Sequence, residues 1–140
     1  MQKNIEPLKK FKVTIDAATL SKLNNEINEE SCTIVHCTYI ASDKYVNGGW
    51  VNIFPTTILE PNDNSFQQLP LLHAINIPVA PKKHYFKNKG DVLRFTLYFP
   101  AIPANWKTFS LIEIIDSGGI GLSASAILRN NTGVYNVIMK

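Results

Sequence analysis

The chain has 140 residues, 45% of them hydrophobic and 18% charged, with a formal net charge of +3. This balance suits a packed domain and excludes a disordered chain, and so modest a charge excludes a strongly basic nucleic-acid binder unless the lysines cluster on one face. A single domain over residues 1–140 is expected, able to bury about two-thirds of the surface its unfolded form exposes, so that no metal or disulfide staple is needed.

The opening "MQKNIEPLKKFKVTID" has no apolar run of signal-peptide length, and no stretch approaches the length of a membrane-spanning helix. The cytoplasm is therefore the default compartment, or the periplasm or cell surface if a leader has been removed. A first strand is predicted near Lys10–Ile15. Asp16 then offers an N-cap to a short helix whose Leu20, Leu23 and Ile27 recur at helical spacing.

From Thr33 onward, short apolar runs alternate with turn signals, the pattern of an antiparallel all-β domain. Strands are predicted over Thr33–Ala41, Trp50–Ile58, Leu71–Val79, Val92–Phe99, Phe109–Ile115, Ile120–Leu128 and Val134–Met139. Cys32 and Cys37 are five residues apart, on opposite faces of a strand, and cannot pair with each other. In "VLRFTLYF", Leu93, Phe95, Leu97 and Phe99 take the core face. In "GIGLSASAIL", the same parity assigns Ile120, Leu122, Ala124, Ala126 and Leu128 inward. "FSLIEII" is apolar on both faces, as in a covered central strand or one whose outer face is used. "RNNTGVY" reads as a hairpin turn closing the last strand pair.

The histidines, His36, His73 and His84, show none of the spacings that gather ligands at a metal, and no Ser sits in a nucleophile elbow. "DSGGIG" precedes a strand rather than a helix, so it is a turn and not a phosphate cradle. The carboxylates lie mostly in loops, unpaired on any strand face. No catalytic residue, cofactor site or metal site is therefore assigned, and the chain is not expected to be an enzyme. The basic run "PKKHYFKNKG", with Lys82 and Lys83, interleaves cations with aromatics, as single-stranded nucleic acid would require, but equally reads as a solvated connection guarding a sheet edge. Nucleic acid is accordingly not the expected partner. Trp50, Trp106 and Tyr45 fall in or beside turns, where aromatics commonly anchor protein or sugar.

The succession "GGWVNIFPTTIL", "LPLLHAINIPV" and "DVLRFTLYFPAIPANWKTFSLIE" resembles a pattern of uncharacterised Bacteroidetes domains. Their motif, F-x-L-x-F-P-x-l-P followed by f-x-l-I-E, falls on Phe95, Leu97, Phe99, Pro100, Ile102, Pro103, Phe109, Leu111, Ile112 and Glu113. Ala101 and Ser110 depart from it, standing where the family often has Pro and Asp. The resemblance implies an immunoglobulin-like β-sandwich of about seven to eight strands, without catalysis. Physics supports an architectural role for the motif: each proline fixes φ near −65° and lacks a donor, so the chain must leave its sheet after Phe99 and re-enter at Phe109. Ile102 would plug the edge, and Glu113 would accept hydrogen bonds at a corner.

The expected function is a binding or assembly module, with a protein as partner. The alternative is a carbohydrate or small-molecule site built on exposed aromatics. A concave aromatic platform favours the second and a flat apolar patch the first. Exposed sheet edges would also permit a homo-oligomer.

Overall fold

Side-chain alternation gathers the apolar residues of a strand on one face, and the fold follows from how those faces are brought together. The computed structural model describes residues 28–63 and 65–139. The predicted strand at Lys10–Ile15 and the helix from Asp16 to Ile27 lie outside these residues. The described residues are mainly β, in several sheets that form no barrel, and contain no helix. The strands are β1 (Thr33–Ile40), β2 (Trp50–Val51), β3 (Ile58–Pro61), β4 (Leu69–Pro70), β5 (His73–Ile75), β6 (His84–Tyr85), β7 (Val92–Phe99), β8 (Thr108–Ile114), β9 (Ile120–Leu128) and β10 (Val134–Met139). One four-stranded sheet has the order β10-β1-β7-β5, the other β4-β3-β8-β9, and β2 with β6 makes a two-stranded ribbon.

The two larger sheets enclose one apolar core. Val35 and Cys37 from β1, Phe95, Leu97 and Phe99 from β7, and Tyr135 and Met139 from β10 meet Leu59 from β3 and Phe109 and Leu111 from β8. Each fully buried Leu or Phe contributes about 1.5–3 kcal/mol relative to leaving it in water. Phe109 and Tyr135 make an edge-to-face contact across the sheets, with centroids 5.0 Å apart.

Pro100 to Pro103 is the crossover, because β7 and β8 belong to different sheets. Ile102 is buried between the prolines, as expected. Beyond it the chain is held by Arg129, whose guanidinium donates to the carbonyls of Pro103 and Trp106 at 2.6 and 3.0 Å and pairs through Nε with Glu29. β8 is a central strand between β3 and β9. On its outer face Ser110 is buried and accepts from Asn62 Nδ2, and Ile112 is half-buried.

Four sequence-based expectations are corrected. The strand over Trp50–Ile58 is interrupted: Pro55 has no donor, Phe54 to Thr57 closes a turn, and only Ile53 keeps an isolated parallel bridge, to Val79. The run over Leu71–Val79 also divides. Leu71 N–H donates to the carbonyl of Thr57, just before β3 of one sheet, and Leu72 N–H to that of Tyr98 in β7 of the other, so the chain passes between sheets at adjacent residues. In β9 the parity breaks, because two bulges each insert an extra residue opposite β8. Ala126 takes φ 56°, Ile127 turns inward and Leu128 is left exposed. Finally, "RNNTGVY" is not a hairpin. Gly133 gives its carbonyl to Ile34 N–H at 2.7 Å, and β10 continues parallel to β1 in the opposite sheet from β9. The fold is thus not wholly antiparallel.

Candidate functional site

The site is built where the β2–β6 ribbon crosses one end of the core. Gly48 and Gly49 both have positive φ, and Gly48 N–H closes a turn on the Tyr45 carbonyl at 3.1 Å. A Cβ on Gly48 would lie 2.8 Å from Ala41 Cβ and from the Asn88 carbonyl oxygen, so only glycine fits this approach. The turn delivers Trp50 and Val51 opposite Tyr85 and His84. Alternation then buries Val51 and turns Trp50 outward, 46% exposed. Below the ribbon, buried Phe86 stacks on Tyr39 with centroids 5.8 Å apart.

A second segment, Pro78 to Lys83, docks beside it. Ile53 donates to the Pro78 carbonyl and accepts from Ala80 N–H at 3.0 and 2.9 Å, and buried Asn52 donates from Nδ2 to the Lys82 carbonyl at 2.8 Å. The segment carries Lys83 over the indole, its Nζ 4.5 Å from the Trp50 ring centroid. The third wall is the β8–β9 turn, closed by Gly118 N–H donating to the Ile115 carbonyl at 2.8 Å, and it presents Asp116 and Ser117.

Glu113 ties these walls together. Its Oε2 accepts from Phe54 N–H and its Oε1 from Leu122 N–H, each at 2.8 Å, in keeping with the corner role expected for it. Burial pushes its carboxyl above the ordinary glutamate value, and the two backbone donors partly offset the shift. Gly121 leaves room for this carboxylate; a Cβ there would collide with Oε1.

The resulting groove has two lobes. The larger, about 610 Å3, is bounded by Tyr39, Trp50, Asn52, Phe54, Glu113, Asp116, Ser117 and Ser123, among others. The smaller, about 400 Å3, shares Trp50, Asn52, Phe54 and Asp116 and adds Pro55, Ala80, Pro81 and Lys83. These are volumes in the range of small-molecule sites.

The aromatic and basic candidates divide accordingly. Trp50 and Lys83 line the groove; Tyr45, 61% exposed, packs its ring against Gly49 nearby; Lys82 contributes its backbone carbonyl and leaves its side chain in water. Trp106 is corrected. It is 1% exposed, far too buried for a surface contact, with Nε1 donating to Gln67 Oε1 at 2.8 Å. The crossover turns it inward, because Pro103 accepts its N–H and Arg129 holds its carbonyl. Asn52, Phe54, Tyr39 and Asp116 were not singled out from the sequence. The one available signal was a lone amide inside the apolar run "WVNIF".

The groove holds no paired nucleophile and base among the described residues. One hydroxyl–imidazole pair lies elsewhere: Thr96 Oγ1 is 2.9 Å from His36 Nδ1, on the outer face of β1 and β7. Both side chains stand on an open sheet surface outside the two groove lobes. Among the described residues no three His, Cys, Asp or Glu side chains gather at a metal-sized site, and no helix is long and apolar enough to cross a membrane. Comparison of the chain with protein-family models, with curated proteins and with solved structures gives no match.

Proposed function

We propose that the chain is a non-catalytic binding module of immunoglobulin-like sandwich type, taking its ligand in the groove at Trp50. Topology supports the immunoglobulin-like reading. With β1 as strand B, the sheets β10-β1-β7-β5 and β4-β3-β8-β9 follow the orders A-B-E-D and C′-C-F-G, with β10 in the place of strand A but running parallel to its neighbour. The E-to-F passage is then the Pro100–Pro103 crossover, the segment on which the resemblance to Bacteroidetes domains rests.

The observation that carries the binding reading is an exposed indole standing in a concave, two-lobed groove rather than on a flat apolar patch. Such a shape suits a small ligand or a single inserted side chain better than a broad protein face. Ser117 and Ser123 supply hydroxyls, and Asp116 a carboxylate, around aromatic walls.

A screen of sugars, amino acids and amines by thermal shift and by Trp50 fluorescence tests the reading. Trp106 is buried, so ligand-dependent quenching reports on Trp50. Hits are expected to be lost in Trp50→Ala while the variant still unfolds cooperatively. Hits that persist in that variant, or a screen in which no class perturbs Trp50, overturn the proposal.

A further inference from the structure

The groove contains an internal clue to its ligand. The ammonium of Lys83 already rests on the Trp50 ring, so this indole accepts a cation within its own chain. Lys83 lines the smaller lobe and not the larger one, whereas Trp50 lines both. The part of Trp50 that bounds the larger lobe is therefore not shared with Lys83.

The charge in the larger lobe has one sign. Its acidic lining residues are Glu113 and Asp116, and no Lys, Arg or His lines it among the described residues. Glu113 is committed to two backbone donors. Asp116 is exposed and forms no hydrogen bond or ion pair among the described residues, Lys83 included. A phosphate, sulfate or carboxylate would thus meet like charge. A sugar would find the deeper groups partly taken, Asn52 Nδ2 donating to the Lys82 carbonyl and each Glu113 oxygen already accepting from a backbone N–H, and would rely on the Ser117 and Ser123 hydroxyls. An alkylammonium matches the one-signed charge of the lobe and uses an indole and an unpaired carboxylate bounding the same space.

We propose that the larger lobe binds an alkylammonium group, held between the indole of Trp50 and the carboxylate of Asp116. This rests on the groove being the binding site, and names the ligand chemistry for it. The group can arrive on a small amine or on a lysine side chain, and the test separates these sources.

The experiment is a titration of the full chain at constant ionic strength, following the indole N–H resonances of Trp50 and Trp106. Tetramethylammonium, choline, N-acetyl-lysine methylamide, methyl glucoside and inorganic phosphate are the probes. The ammonium probes are expected to shift Trp50 saturably and leave Trp106 in place, the tighter binder identifying the natural source. Asp116→Asn should weaken binding about two- to fivefold, and Lys83→Gln, which removes a competing ammonium from the indole, should tighten it about two- to threefold. Both substitutions are at exposed positions, so a folding failure in one does not remove the other. If methyl glucoside or phosphate saturates Trp50 while the ammonium probes do not, the ammonium assignment falls and the groove reading survives. If no probe moves Trp50, both fall.

Discussion

Gly121→Ala offers a sharp test of the corner that shapes the groove. A methyl group at this position would overlap Oε1 of Glu113 and lie 3.1 Å from Ile115 Cγ2. An untethered carboxylate would swing aside at little cost, but this one is fixed by Phe54 N–H and Leu122 N–H at 2.8 Å each. Overpacking alone costs about 1–3 kcal/mol, and weakening hydrogen bonds to a charged acceptor adds to it, giving about 2–4 kcal/mol in total. In a Glu113→Ala background only the tight contact with Ile115 is left. There the same glycine substitution should be neutral or gain about 0.5–1 kcal/mol, because alanine is better than glycine within a strand. Glu113→Ala itself should cost about 2–5 kcal/mol by leaving two amides without their acceptor. Urea denaturation of the wild type, both single variants and the double variant gives the coupling directly. If the two substitutions add within about 0.5 kcal/mol, Glu113 is not what excludes a side chain at Gly121, and the tethering argument is wrong.

Replacing Pro100 and Pro103 together by alanine should lower stability by about 1–2 kcal/mol, or about 3–6 °C in melting temperature, through greater freedom of the unfolded chain; an unchanged melting temperature would remove the crossover argument. Cys37 is buried, and burial pushes its thiol up to about 12. It should therefore resist iodoacetamide at pH 8 in the native state and react only on unfolding, while half-buried Cys32 is modified first; equal native labelling, read by peptide mass spectrometry, would contradict the placement of β1.

The long strands were legible because their signal is local. The predicted limits of Val92–Phe99, Ile120–Leu128 and Val134–Met139 coincide with β7, β9 and β10. Inward Phe95, Leu97 and Phe99 follow from alternation alone, since a buried row must recur every second residue. The crossover was legible for a related reason: proline removes a donor wherever the chain goes next. The groove was legible only in part. Trp50 stood out as an aromatic after a glycine turn, but its neighbours Asn52, Phe54 and Asp116 acquire meaning only when three segments far apart in sequence converge.

The sequence by itself determined which residues are extended, which of their faces are apolar, and where proline forces an exit, because these depend on the covalent chain and its immediate neighbours. The tertiary structure decided which strands pair. Nothing local shows that β10 joins β1 in parallel rather than folding back on β9. It also decided which of two similar tryptophans is seen by solvent. Both lie beside turns, but the Arg129 clamp and Gln67 draw Trp106 into the core, while pairing with Tyr85 holds Trp50 outward. Exposure is a property of what packs against a residue, and that information is distributed over the whole fold.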